Sequence, residues 1–261
     1  MSIDVKGISF SYNEKEVLHD ISFSAGSGDV VAVLGPNGVG KSTFFRCMLG
    51  FLRPQSGEIL LNGQDIFSMT NAAVAREIAY IPQSSSPAFN YTVLDTVLMG
   101  MTNQIRLFSS PGPEERKTAM KALEELGIAG LAERGCNKIS GGERQLMLLA
   151  RSLVQKARIL IMDEPTANLD LGNSHKVMKR IHNLSRQGYT VIFSTHEPNQ
   201  AFQFANRVIA LQNGRVLAEG RPEEALTECI LSSLYSSSVA VREIEVNGKV
   251  FKLAISCDEE E

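Results

Sequence analysis

Long apolar runs are missing from this sequence. Hydrophobic residues make up 43% of its 261 positions, yet nowhere do they continue for the roughly 18 positions that a membrane-spanning helix requires. A role at a membrane would therefore need another chain to cross it. Paired cysteines are missing too. Cys47, Cys136, Cys229 and Cys257 are scattered, with no C-x-x-C and no Cys/His metal spacing, so they read as reduced thiols, Cys47 as a small core residue. Nor is there an excess of positive charge. With 26 Lys and Arg against 29 Asp and Glu, the formal net charge is -3, and no overall field draws in nucleic acid. The opening Met1-Ser2-Ile3-Asp4-Val5 lacks the basic patch and apolar stretch of a secretory signal. No internal repeat is visible, and Ser236-Ser237-Ser238 is only a short loop. What remains is ample apolar material for one large domain, or a core with a smaller lobe.

The first segment, Ile3 to Phe23, alternates around a turn at Asn13-Glu14-Lys15 and predicts an antiparallel edge sheet. Asp29-Val30-Val31-Ala32-Val33-Leu34 is then a continuous apolar run ending at glycine, the pattern of a strand buried on both faces. Ile159-Leu160-Ile161-Met162 and Val191-Ile192-Phe193 repeat it, and strands of this kind separated by helices imply an α/β core. From about 84 to 156 the character changes. Pro113 and Gly127 bracket a helix with Ala119, Met120, Leu123 and Leu126 on one face, which predicts a mostly helical lobe inserted into the sheet domain. Near the end, residues 239–255 alternate around Asn247-Gly248, a hairpin signal, before the acidic tail 258–261. This hairpin is expected to cover a sheet edge, with a regulatory role as the alternative.

The chemistry begins after the first buried strand. Gly35-Pro36-Asn37-Gly38-Val39-Gly40-Lys41-Ser42-Thr43 is a complete G-x-x-x-x-G-K-[ST] pattern, followed by the amphipathic Phe44, Phe45, Met48 and Leu49. Glycines let the backbone curl so that several N–H groups face one anion, and the helix starting near Lys41 adds its positive end. Lys41 would reach the β and γ phosphates of ATP, and the Ser42 hydroxyl would ligate Mg²⁺. The second buried strand ends in Asp163-Glu164-Pro165. Ligands of such sheets sit at the carboxyl ends of strands, so this acidic pair is expected beside the phosphate loop. Asp163 would hold Mg²⁺ through its water shell, and Glu164 would orient or deprotonate the attacking water.

The segment Ile139-Ser140-Gly141-Gly142-Glu143-Arg144-Gln145 resembles the signature motif of the ATP-binding cassette (ABC) ATPases, and the other motifs of that family then fall into order. The resemblance spans residues 1 to about 225. It implies a P-loop core with an antiparallel edge sheet and an inserted helical subdomain, followed by an extension over 226–261. It further implies that Tyr12 stacks on adenine, the alternative being a strand tyrosine packed on the sheet. Gln83 matches the glutamine that touches Mg²⁺ and the water. Asp170, in Asn168-Leu169-Asp170, matches a loop crossing a dimer interface, and His196 matches the switch histidine. Two departures stand out: Ile139 replaces the usual leucine, which keeps apolar volume, and Glu143 stands where many members have glutamine.

Ser140 and the N–H groups of Gly141 and Gly142 begin a predicted helix and form a second anion site. In the family that site closes on the γ-phosphate held by the opposite subunit. The resemblance thus implies a C₂ homodimer with two ATP molecules in its seam, on the cytoplasmic face of a prokaryotic cell membrane. It implies separate membrane-spanning permease subunits, docked near Gln83 and residues 84–96, and indirectly an extracytoplasmic substrate-binding protein. The run Tyr91 to Gly100, the segment 194–201 and the terminal hairpin resemble the importers of iron-siderophore complexes, haem and cobalamin. Molybdate importers stand close by, and an exporter is the further alternative. A DNA-repair ATPase of the same class would carry long coiled coils between phosphate loop and signature, and a translation factor two cassettes and a basic linker. Neither pattern is present, so no nucleic-acid partner is expected.

Overall fold

The computed structural model describes residues 1–83, 90–102 and 110–257. The start of the expected docking segment, 84–89, and the acidic tail, 258–261, lie outside the described residues.

Two long strands, β1 (Ile3–Tyr12) and β2 (Lys15–Ala25), open the chain around a turn in which Asn13 takes φ 52°. Next come β3 (Val30–Leu34), buried at every position, and α1 (Lys41–Met48). β4 (Ser56–Leu61) and the short β5 (Gln64–Asp65) pair with each other, and α2 (Asn71–Glu77) leads into β6 (Ile78–Ile81). Three helices follow: α3 (Val93–Leu98), α4 (Pro113–Glu125) and α5 (Gly141–Val154). The chain then alternates through β7 (Ile159–Met162), α6 (Leu171–Ser185), β8 (Thr190–Thr195), α7 (Pro198–Phe204) and β9 (Arg207–Gln212). β10 (Arg215–Gly220), α8 (Pro222–Ala225), α9 (Glu228–Tyr235), β11 (Val239–Val246) and β12 (Lys249–Ser256) complete it. No helix among the described residues is long and apolar enough to cross a membrane.

The strands form an antiparallel sheet in the order β2-β1-β4-β5 and a six-stranded sheet in the order β10-β9-β3-β8-β7-β6. Within the larger sheet only β10 runs antiparallel. It contains the three strands expected from the apolar runs and adds β6, β9 and β10, whose shorter or more polar sequences did not stand out. The continuous apolar runs have a direct cause. Val31, Val33, Ile159, Ile161 and Ile192 face a core shared with α1 and the antiparallel sheet. Their neighbours Val30, Ala32, Leu34, Leu160, Met162 and Phe193 face a second core closed by helices α3 to α7. Side chains alternate across a strand, so a sheet covered on both faces needs apolar residues at every position.

The helical region is tied down by local chemistry. Thr92 and Asp95 exchange capping hydrogen bonds at the start of α3, Pro113 occupies the first turn of α4, and Ser140 with Glu143 caps α5. α3, α4 and α5 pack on one another. Their approach is close at Gly100, where a Cβ would overlap the carbonyl oxygen of Arg151. The terminal hairpin departs from expectation. β11 and β12 form a two-stranded sheet of their own, joined to neither edge, and lie against α9 and α7. The reason is apolar: Val239, Val241 and Ala254 of the hairpin contribute to the core that α7 and α9 share.

Phe44 tests how far the site depends on this core. It is fully buried behind the phosphate loop, with its ring edge-on to Phe23 at 6.2 Å. Phe44→Ala should cost about 3–5 kcal/mol of unfolding free energy, read from the shift in urea midpoint at unchanged slope.

Candidate functional site

The phosphate loop is built by backbone geometry. Gly38 and Gly40 sit at φ 82° and 110°, in the left-handed region where a side chain would be strained. A Cβ on Gly35 would stand 2.6 Å from the carbonyl oxygen of Leu211 in β9. Lys41, only 5% exposed, donates from Nζ to the carbonyl oxygens of Gly35 at 2.7 Å and Pro36 at 3.1 Å. Burial holds its pKa below the ordinary lysine value, opposed by the carboxylates of Glu164 and Asp163. The loop thus aims a desolvated cation at a cradle shaped for an anion.

The acidic pair at the end of β7 is not directly beside β3, because β8 runs between them. Ser194, at 0% exposure on β8, makes the connection. Its hydroxyl donates to Asp163 Oδ1 at 2.6 Å and accepts from the backbone N–H of Glu164 at 2.8 Å. Glu164 is held at φ 44°, a conformation costing a non-glycine residue about 1–2 kcal/mol. Its side chain lines the cleft. There, Oε1 lies 3.5 Å from Lys41 Nζ and 3.5 Å from His196 Nδ1, while Oε2 accepts from Gln83 Nε2 at 3.0 Å. Four residues singled out in the sequence, Lys41, Gln83, Glu164 and His196, therefore meet at one carboxylate, although Glu164 and Gln83 are 81 positions apart.

These groups open onto a cleft of about 450 Å³ lined by Tyr12, Asn37, Gly38, Gly40, Lys41, Ser42, Thr43, Gln83 and Glu164. Tyr12 packs edge-on against Phe10 at 4.9 Å and keeps 40% of its surface free on the cleft wall. The signature residues are elsewhere in the chain's surface. Ser140, Gly142 and Glu143 line a separate cleft of about 510 Å³ with Asn173, Lys176 and Lys179. Ser140 caps α5 by accepting from the N–H of Glu143 at 3.3 Å, while Glu143 Oε2 accepts from the Ser140 N–H and Oγ, each at 2.8 Å. Those two bonds hold the Glu143 carboxyl below its usual range. A carboxylate at this position also faces the positive end of the helix, which a glutamine would meet with less charge. Asp170 does not line the phosphate cleft. It caps α6, accepting from Asn173 N–H at 2.9 Å, a bond that lowers its carboxyl pKa. Its neighbour Leu169 closes on the signature turn, where a Cβ on Gly141 would lie 3.0 Å from its side chain.

The donor set suits a triphosphate with a hard divalent cation. Ser42, Gln83 and Asp163 each carry a side-chain oxygen, the ligand atom Mg²⁺ takes. Among the described residues no group of three or more His, Cys, Asp or Glu could hold a metal by itself. A cation at Ser42 would thus complete its shell from phosphate oxygens and water.

Two further polar features were not foreseen. Ser194 was legible only as a serine inside an apolar run, a position that demands a partner. Gln200, 6% exposed on α7, accepts from Thr195 Oγ1 at 3.1 Å and donates to Thr166 Oγ1 at 3.0 Å and Glu197 Oε2 at 2.8 Å. It joins the segment after Glu164 to the one around His196. Removing the Ser194 hydroxyl leaves a buried carboxylate and a backbone N–H without that partner. Ser194→Ala should therefore lower unfolding free energy by about 1–3 kcal/mol, measured by equilibrium urea denaturation beside the unmodified chain.

Comparison with known proteins agrees with this geometry. Residues 18–167 match the family described as ABC transporter. A molybdate import ATP-binding protein of Haemophilus influenzae is 36% identical over 90% of this chain and 88% of its own. An iron(3+)-hydroxamate import ATP-binding protein of Bacillus subtilis is 32% identical over 90% and 87%. Among solved structures, one described as a metal-chelate type ABC transporter in an inward-facing conformation superposes with a TM-score of 0.89, at 32% identity, over 99% of this chain and 98% of that one. With a nucleotide cradle, a signature turn and this similarity along its length, the chain belongs to the ABC transporter family, as one of its ATP-hydrolysing subunits.

Proposed function

We propose that this chain powers import of a metal chelate, an iron-siderophore complex, haem or cobalamin, through separate membrane-spanning subunits. The observation that carries the engine is the meeting of Lys41, Gln83 and His196 on the Glu164 carboxylate at the mouth of the phosphate cradle. The cargo class is supported by the fit over 99% of the chain, terminal extension included, to a transporter described as of metal-chelate type. Molybdate import is the second reading, favoured by the Haemophilus influenzae relative.

Without nucleotide, Lys41 is held by the loop carbonyls and by Glu164. Entry of a triphosphate gives its ammonium a stronger anion, and the exchange frees the Glu164 carboxylate to take a proton from water placed against the γ-phosphate. Gln83 and His196 hold that water from either side, and the Ser42 hydroxyl and Asp163 face the metal position. Mg²⁺, when bound, neutralises charge on the β and γ phosphates. Ser140 and Gly142 open on a different cleft from Lys41, and in this reading the signature turn serves the nucleotide of a second copy. The resulting homodimer is supported by Leu171, an apolar side chain left 88% exposed one residue after Asp170.

The permease docks where Tyr80, Pro82, Leu148, Arg151 and Gln155 line a groove next to Gln83, between sheet and helical lobe. On this reading the chain works at the cytoplasmic face of a prokaryotic membrane, downstream of an extracytoplasmic binding protein. Glu164→Gln is the test. It should retain ATP binding, lower hydrolysis by about 10²-fold or more, and shift the chain to a dimer with MgATP in analytical ultracentrifugation. Unchanged turnover would remove Glu164 from this role.

A further inference from the structure

The C-terminal extension reaches back to the loop that carries His196. Tyr235, the last residue of α9, is half-buried against the helical core and donates its phenolic O–H to the backbone carbonyl oxygen of His196 at 2.8 Å. Burial and the nearby Glu197 carboxylate push the Tyr235 phenol well above its ordinary pKa, so it stays a donor across the physiological range. Three residues beyond His196, Asn199 makes a reciprocal pair with β12. Its Oδ1 accepts from the N–H of Ala254 at 2.8 Å, and its Nδ2 donates to the Ala254 carbonyl oxygen at 3.2 Å. Gln200 anchors the same loop from inside.

The His196 side chain itself is poorly restrained. It is 46% exposed and meets Glu164 at 3.5 Å, beyond a good hydrogen bond. Its direction toward Glu164 is therefore set by its backbone, and the backbone carbonyl is held by Tyr235. We propose that Tyr235 is a positioning residue for the reaction, fixing the peptide of His196 so that its imidazole faces the Glu164 carboxylate, with the extension as a brace for that loop.

This inference rests on His196 acting in hydrolysis, so its test carries that control. Full-length wild type, Tyr235→Phe, His196→Ala and the double variant are assayed for MgATP hydrolysis with γ-labelled ATP, so that residual rates remain measurable. Tyr235→Phe keeps the ring and its apolar contacts and loses only the hydrogen bond. It should lower kcat about three- to tenfold while the KM for ATP stays within about twofold, the split expected of lost transition-state geometry. In the His196→Ala background the same change should have no further effect on rate. Wild-type turnover by Tyr235→Phe, or an equal loss in both backgrounds, would overturn the positioning role alone. Wild-type turnover by His196→Ala would instead overturn the reading of His196, and this inference with it.

Discussion

A buried serine hydroxyl on β8 fixes the acidic side of the site. Strand β8 separates the strand that feeds the phosphate loop from the strand that carries the acidic pair. The Asp163 N–H is held on the other side by the Ile81 carbonyl oxygen of β6 at 2.9 Å. Ser194 donates to one carboxylate and accepts from the next backbone N–H, and its complete burial makes both bonds costly to lose. The left-handed backbone of Glu164 is tolerable because its N–H is pinned, and its carboxylate can then gather Lys41, Gln83 and His196 from three other parts of the chain.

That carboxylate also joins three separate elements. Gln83 comes from the end of β6 at the edge of the helical lobe, His196 from the end of β8, and Lys41 from the first turn of α1. A change in which partner holds Glu164 is felt by all three elements. Gln200 ties the segment after Glu164 to the His196 loop from behind, and the extension holds the same loop from outside. The signature turn rests on Leu169 and Asn173 at the entrance of α6, so it shares its support with the segment following the acidic pair.

Much of this was legible beforehand, for identifiable reasons. The phosphate loop could be read because its glycines and lysine are consecutive, and local backbone geometry depends on neighbours. The doubly buried strands announced themselves because a sheet covered on both faces leaves no position for a polar side chain. Ser194 broke that rule in plain view, yet its partners are 30 or more positions away, so its purpose was hidden, as was that of Gln200, which reaches Thr166 from α7. The hairpin was visible from Asn247-Gly248, but its destination was not. Turn chemistry specifies how two strands meet each other, and says nothing of what their outer faces pack upon.

By itself the sequence determined the local chemistry: the anion cradle, the capped start of α5, the acidic pair and the doubly apolar strands. Each is dictated by residues within a few positions of one another. Only the tertiary structure decided that β8 would stand between the strands that lead to loop and acids, that three distant side chains would share the Glu164 carboxylate, and that Tyr235 would reach the carbonyl of His196. Those are contacts between segments far apart in the chain, and what selects them is the order in which strands enter the sheet and the apolar faces left to be covered.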